Sequence, residues 1–203
     1  MLSLNKIKTK LRNRKVGTID EFKYFAILIP MYQDHDGIKL LFEQRSSYMK
    51  VQPGEICFPG GKVEDGESTK EAALRETYEE IGLDNIEIIG QGDVLITGYK
   101  YMIFPYVGLI SKDYKNQLKL NNDEVESVFE VPLEWFMKNK PEDHMLDIVQ
   151  QPRGDFPFEK IKFEKGYNFR RGKDDVPIYI YEDKVIWGIT ARIIKNFIKL
   201  ISL

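Results

Sequence analysis

Three glutamates on one predicted helix have the spacing of a cation site. In the stretch GGKVEDGESTKEAALRETYEEIGL, which runs from Gly60 to Leu83, Glu76 is followed by Glu79 and Glu80. A helix turns about 100° per residue, so the second and third glutamates lie roughly 60° and 40° to either side of the first. Like charges at these spacings repel each other. Carboxylate oxygens are preferred ligands of Mg²⁺ and Mn²⁺, so the pattern predicts that this face binds one or more such cations.

Two nearby residues add to the predicted cation site. Glu67 precedes the helix, so its side chain is free of helical geometry and can turn toward the three glutamates. Arg75 lies four residues before Glu79 and relieves part of the repulsion. A solvated acidic helix face is the alternative, because glutamates are common on exposed helices. The stacked like charges and the flanking glycines favour the cation site.

The helix that carries these glutamates has recognisable ends. Ser68, followed three residues later by Glu71, is a capping-box pattern that predicts a helix start at Ser68. Gly82 is typical of the residue just past a helix end. The face opposite the glutamates is expected to pack on a sheet, and it consists of Leu74, Tyr78 and Ile81.

The rest of the chain supplies strands and further helices. FKYFAILIPMY, at 22–32, is an almost continuous apolar run typical of a buried strand, and the turn sequence DHDG precedes a second strand, IKLLFEQR. KVIWGITARIIKNFIKLI, at 184–201, predicts a long amphipathic C-terminal helix. A short helix at 2–14 is expected to pack on the domain, whereas 140–175 shows no assignable pattern. We therefore expect one α/β (α+β) domain over 1–203, with a helix on each side of the sheet.

Composition limits the classes of partner and of compartment. The chain has 203 residues and a formal net charge of −2, so no broad nucleic-acid or membrane surface is expected. Its one cysteine, Cys57, excludes an internal disulfide framework and is typical of a reducing compartment. The basic start of the chain lacks acids, as a transit peptide does, but it is poor in serine. A cytoplasmic location is expected.

These residues together resemble the Nudix box. Gly61, Glu67 and the run Arg75-Glu76-Thr77-Tyr78-Glu79-Glu80-Ile81-Gly82-Leu83 fill every charged and glycine position of that pattern at the right spacing. The one departure is Thr77, at a position where the family has an apolar residue. The resemblance implies a Nudix fold, an α/β/α sandwich with a mixed sheet and a loop-helix-loop box. It also implies hydrolysis of a nucleoside diphosphate linked to another moiety.

The resemblance also implies roles for individual residues. Bound Mg²⁺ or Mn²⁺ would neutralise the diphosphate and activate a water that attacks one phosphorus. The implied metal ligands are Glu67, Glu76, Glu79 and Glu80, with the Gly60 carbonyl as a further donor. The implied catalytic residues are Glu79, Glu80 and Arg75. Glu124, in the loop NNDEV, is a further catalytic candidate as an extra ligand or base, and the candidate substrate-binding residues are Arg45, Lys50, Gly60 and Gly61. For Glu124, a solvated loop acid is an equal alternative.

A second motif, LFEQRSSYMKVQPGEICFPGG at 41–61, is similar to the signature of coenzyme A diphosphatases within the family. Matching positions are Leu41, Arg45, Ser46, Gly54, Phe58, Pro59, Gly60 and Gly61. Three positions depart from the signature, with Phe42 in place of leucine, Glu43 in place of threonine and Lys50 in place of arginine. Lys50 keeps the positive charge but loses the two-pronged hydrogen bonding of a guanidinium.

The second resemblance implies a substrate. We expect hydrolysis of coenzyme A, or of acyl-coenzyme A, to 3′,5′-ADP and 4′-phosphopantetheine, with Arg45 and Lys50 near the phosphates. The three departures keep open a broader diphosphatase that acts on dinucleotides or ADP-sugars such as NADH and ADP-ribose. A non-catalytic Nudix module that binds a nucleotide is a further alternative. A homodimer is expected from the resemblance alone.

Overall fold

A mixed sheet of eight strands lies at the centre of the protein, which the computed structural model describes over residues 3–163 and 166–202. Along the sheet the strands run in the order β3-β2-β1-β7-β5, with β4 pairing to β1, β6 to β7 and β8 to β2. The pair β1 and β7 is parallel and all others are antiparallel. The strands are β1 Lys23–Asp34, β2 Gly37–Arg45, β3 Ile56–Cys57, β4 Gly60–Lys62, β5 Glu87–Gln91, β6 Leu95–Ile96, β7 Tyr101–Leu109 and β8 Val125–Pro132.

A smaller antiparallel sheet and four helices complete the described residues. The second sheet has the order β11-β10-β9, with strands β9 Glu142–Val149, β10 Arg171–Tyr181 and β11 Lys184–Trp187. The helices are α1 Leu4–Arg12, α2 Thr69–Ile81, α3 Leu133–Lys138 and α4 Gly188–Ile201. Within 3–163 and 166–202, no helix has the length and apolar character needed to cross a membrane.

Strand β1 is buried on both faces because helices cover the sheet from both sides. Ala26 and Leu28 pack with α2, while Ile29 and Met31 pack with α3 and α4. Successive side chains of a strand point to opposite faces, so a strand covered on both faces has an unbroken apolar sequence. The arrangement confirms the predicted α/β/α sandwich with a mixed sheet.

Several predicted elements differ in extent from the observed ones. The first strand runs two residues further, to Asp34, and the predicted C-terminal helix is a strand up to Trp187 and a helix only from Gly188. The unassigned tract 140–175 contains β9 and the start of β10. Every residue of β9 is exposed, so the strand has no buried face from which a period could be read.

The predicted N-terminal helix at 2–14 forms over Leu4–Arg12, and position 2 lies outside the described residues. None of its side chains is buried, so the expectation that it packs on the domain is wrong. The apolar core on the α4 side includes residues from both sheets, such as Leu40 and Tyr179. The assignment of all 203 residues to one domain stays a prediction.

Candidate metal and substrate site

The helix α2 begins and ends where its sequence predicts. The Ser68 hydroxyl accepts a hydrogen bond from the Glu71 amide at 3.2 Å, and the Glu71 carboxylate accepts one from the Ser68 amide at 2.7 Å. This reciprocal pair is a capping box, which satisfies two amides that have no partner within the helix. At the other end Gly82 is left-handed, and its amide donates to the Tyr78 carbonyl at 2.9 Å. The capping prediction is therefore confirmed.

The face of α2 that packs on the sheet is not the predicted one. Tyr78 is 55% exposed, and the expectation that it packs inward is wrong. The buried face instead comprises Ala72, Ala73, Thr77, Glu80 and Ile81, and the small side chains among them allow a close approach to the sheet. Thr77, the departure from the box pattern, is accommodated because its hydroxyl donates to the Ala73 carbonyl at 2.7 Å. One of the glutamates thus lies on the buried face.

Arg75 binds three of the predicted ligands at once. Its Nη1 donates to Glu76 and to Glu79, both at 2.9 Å. Its Nε and Nη2 donate to the two oxygens of Glu67 at 3.1 and 2.8 Å, and Nη2 also donates to the Lys62 carbonyl at 3.1 Å. The guanidinium lowers the pKa of Glu67 below its ordinary value. Arg75 therefore holds Glu67, Glu76 and Glu79 around one cationic centre.

Glu80 is fixed separately, against the loop that enters the box. Only 3% of it is exposed, and its carboxylate accepts a hydrogen bond from the Gly60 amide at 2.7 Å. Gly60 pairs with Ile27 of β1, and a Cβ at Gly60 would lie 2.3 Å from the Ala26 carbonyl oxygen. Because no side chain fits there, only glycine lets this loop lie against β1 and present its amide to Glu80.

Gly61 creates the space that Glu76 occupies. A Cβ at Gly61 would lie 2.4 Å from the carboxylate carbon of Glu76 and 2.5 and 2.6 Å from its oxygens. The glycine therefore brings the backbone of β4 into direct contact with this carboxylate. Burial raises the pKa of Glu76, although Arg75 opposes the shift.

A further carboxylate, Glu43, belongs to the same group. It is 1% exposed, lies opposite Cys57 in the β2–β3 pairing, and accepts a hydrogen bond from the Cys57 thiol at 3.2 Å. Its other oxygen, Oε2, is buried with no hydrogen-bond partner within the described residues. Sequence reasoning identified Glu43 only as a departure from the signature threonine. The signal that it belongs to the site was that a charged side chain interrupts an apolar strand.

Burial and mutual repulsion act together on these carboxylates. Burial raises the pKa of Glu80, and the charge of Glu43 raises it further. Burial likewise raises the pKa of Glu43, partly offset by the Cys57 hydrogen bond and by Arg45. Glu124 adds to the raised pKa of Glu43, Glu76 and Glu80, which places its charge near all three. A cation bound here would relieve both the burial and the repulsion.

The predicted phosphate-binding residues lie where β2 ends. The Arg45 amide donates to the Glu55 carbonyl at 2.9 Å, and the neighbouring Ser46 amide donates to the Glu124 carbonyl at 2.7 Å. The Arg45 Nε is buried without a partner in the described part of the chain. Lys50 lies in the loop that follows and is exposed. Arg45 therefore lies beside the carboxylates, whereas Lys50 makes no hydrogen bond or ion pair among residues 3–163 and 166–202.

The donor set fits a divalent cation. Glu43, Glu76 and Glu80 are carboxylates at low exposure, and one oxygen of Glu43 has no hydrogen-bond partner in the described part of the chain. A bound cation would favour their charged forms and would satisfy that oxygen. Their oxygens do not all lie within 4.8 Å of one another in the described residues, and Arg75 binds Glu76 while the Gly60 amide binds Glu80. Among the described residues, the one group of three potential ligands within 4.8 Å of one another is the half-buried Asp34 at the end of β1 with the exposed His35 and Asp36.

Comparisons with known proteins agree with the fold and with the motif. The model of the NUDIX domain matches residues 23–150. The chain is 33% identical to the mouse peroxisomal coenzyme A diphosphatase NUDT7 over 80% of its own length and 71% of that protein, and 28% identical to Nudix hydrolase 3 of Caenorhabditis elegans over 98% and 82%. A MutT/nudix family protein from Enterococcus faecalis has the same fold, with a TM-score of 0.52 at 17% identity, over 99% of this chain and 70% of that one. The chain therefore belongs to the Nudix family of hydrolases.

Proposed function

We propose that this Nudix hydrolase cleaves the diphosphate bond of coenzyme A to give 3′,5′-ADP and 4′-phosphopantetheine, with Mg²⁺ or Mn²⁺ as cofactor. The observation that carries the proposal is that the signature loop and the box glutamates form one site. The Gly60 amide of the loop binds Glu80, and Gly61 contacts Glu76. The mouse relative named as a coenzyme A diphosphatase supports the same substrate class.

The proposed ligands of the cation are Glu76, Glu79 and Glu80, with Glu67 beside them. Each has a defined hydrogen-bond partner that sets its position before any ligand arrives, Arg75 for three of them and the Gly60 amide for Glu80. When bound, the cation neutralises charge on the diphosphate and lowers the pKa of a water molecule. The burial of Glu80 and Glu76 keeps bulk water away from these charges, which strengthens every electrostatic interaction there.

Positive side chains of the chain itself complete the proposed substrate site. Coenzyme A carries a 3′-phosphate in addition to the diphosphate, so its recognition requires cationic groups besides the metal. Arg45, at the end of β2, has a buried Nε with no partner in the described residues, so it has a donor available for phosphate. Lys50, five residues further along the chain, is exposed in the loop after β2, so its flexible side chain can contact a phosphate at the edge of the site. The geometry favours Arg45 as the principal contact.

The substrate is tested by product analysis. The purified chain is incubated with coenzyme A and Mg²⁺ or Mn²⁺ in ¹⁸O-labelled water, and the products are separated and identified by mass spectrometry. We expect 3′,5′-ADP and 4′-phosphopantetheine, with the label on the phosphorus that was attacked. Absence of coenzyme A cleavage together with hydrolysis of NADH or ADP-ribose would contradict the proposal. That result would favour the broader diphosphatase, which the departures at Phe42, Glu43 and Lys50 keep open.

Catalysis itself is tested at Glu80. Glu80→Gln keeps the size of the side chain and removes its charge, so turnover should fall by about a hundredfold or more if the carboxylate holds the cation. Glu87→Gln, on an exposed residue of β5, is the matched control and should retain turnover. Nearly unchanged turnover in Glu80→Gln would contradict a ligand role for this residue, whereas no turnover by the unaltered chain would support the non-catalytic module. The homodimer and the cytoplasmic location stay predictions.

A further inference from the structure

We propose that Glu43 is an additional cation-binding carboxylate of this chain, which holds the metal from the sheet while the box glutamates hold it from helix α2. The inference rests on the metal site of the proposed function and adds to it a ligand that the box does not contain. It is drawn from the position, the burial and the unpaired oxygen of one side chain. Glu43 is also the residue at which this chain departs from the signature threonine.

The alternation of β2 points Glu43 toward α2. Leu40 and Phe42 pack in the core on the α3 and α4 side of the sheet. Leu41 packs on the other side, with Ile81 of α2. Because side chains two residues apart share a face, Glu43 lies on the same face as Leu41, which is the face that α2 covers. Glu80 is on the buried face of α2, so the two carboxylates approach each other from the strand and from the helix.

The described surroundings of Glu43 pair only one of its two carboxylate oxygens. Oε1 accepts a hydrogen bond from the Cys57 thiol, and burial raises the pKa of that thiol, so it remains a neutral donor. Oε2 has no hydrogen-bond partner in the described part of the chain. The charge of Arg45 opposes the raised pKa of Glu43, but no ion pair within 4.0 Å joins the two among residues 3–163 and 166–202. A buried acceptor without a partner is costly, and a cation is the ligand that satisfies it.

The chemistry of the substitution supports the same conclusion. Threonine carries a short neutral hydroxyl, whereas glutamate adds a negative charge and reaches further into the space below α2. A structural role alone would not require the charge, because a neutral glutamine would also bond to Cys57 and fill the same volume. The charge lowers the stability of the metal-free protein through repulsion with Glu80, and this cost is offset when a divalent cation binds between them.

The test measures metal binding directly, without an activity assay. Mn²⁺ is titrated into the metal-free full-length chain by calorimetry, and the melting temperature is recorded with and without Mn²⁺. Compared with the unaltered chain, Glu43→Gln should weaken Mn²⁺ binding about tenfold or more and should reduce the gain in melting temperature that Mn²⁺ confers. Its metal-free melting temperature should be equal or higher, because a buried charge has been removed. Glu87→Gln is the control and should behave as the unaltered chain.

A structural role for Glu43 would give the opposite pattern. Glu43→Gln would then lower the metal-free melting temperature and leave Mn²⁺ affinity within about twofold, which would overturn the inference. Glu43→Thr, which restores the signature residue, provides a second variant if the first does not fold, and the same loss of affinity is expected. If the unaltered chain bound no Mn²⁺, both this inference and the proposed function would fail. Intact Mn²⁺ binding by both variants, with coenzyme A still cleaved, would refute the inference alone.

Discussion

Replacing Gly61 with alanine tests whether the position of Glu76 controls activity. The added Cβ would lie 2.4 Å from the carboxylate carbon of Glu76, whereas an ordinary contact is about 3.4 Å. The carboxylate must therefore retreat by roughly 1 Å, and a misplacement of that size in a catalytic site costs about a hundredfold in rate, or about 2.7 kcal/mol. The displaced atoms end a flexible side chain, so we expect little loss of stability.

The measurement is the initial rate of coenzyme A hydrolysis together with the melting temperature. Gly90→Ala, in β5 of the same sheet, is the matched control, because a Cβ at Gly90 would meet nothing within 4 Å. Gly60→Ala should behave differently, since its Cβ would meet the backbone of β1 at 2.3 Å, and it should lower the melting temperature. A Gly61→Ala protein with unchanged rate and unchanged Mn²⁺ affinity would refute the assignment of Glu76 to the cation site.

Three further predictions follow from contacts of the same site. Burial holds the folded-state pKa of Glu43 and Glu80 above the ordinary 4.5, so the folded chain binds more protons than the unfolded chain above that pH and stability falls as pH rises. The melting temperature in EDTA should thus be lower at about pH 8 than at about pH 6, and a rise would contradict the burial of these charges. Arg75→Lys cannot bind three carboxylates at once, so kcat should fall about tenfold or more with coenzyme A as substrate, and an unchanged kcat would argue against a positioning role. Ser68→Ala removes the cap of α2 and should cost about 1 kcal/mol in urea unfolding, a loss that would be absent if the capping box did not contribute.

Local patterns in the sequence carried most of the information about the box helix. Ser68, Glu71 and Gly82 act on backbone groups within a few residues of themselves, so the helix ends are predictable without knowledge of the rest of the fold. The buried face was not predictable in the same way. Hydropathy placed Tyr78 inside, but the helix buries Glu80 and Ile81 together with Ala72, Ala73 and Thr77, whose small side chains allow α2 to lie close to the sheet.

The charge of Glu43 in an apolar strand marks it as unusual, but its burial beside the box glutamates could not be predicted from the sequence, because that burial depends on segments distant along the chain. The strand β3 pairs Cys57 with Glu43, and α2 covers the same face, so the burial of this carboxylate arises only when three separate segments meet. A single acid in a strand is otherwise typical of a solvent-facing position. The strand β9 could not be predicted for a different reason. All of its residues are exposed, so it has no buried apolar face that would indicate a strand paired with β10.

The parallel pairing of β1 with β7 has a consequence for how the chain folds. Residues 23–31 are joined to 101–109, so the central strand is completed by a partner far along the sequence, after the β1–β2 hairpin and the helix α2. Closing such a large loop is entropically costly, and pairings of this kind slow folding. During synthesis the apolar residues of β1 therefore remain without this partner until β7 has left the ribosome. In that interval the exposed apolar strand makes the nascent chain prone to aggregation.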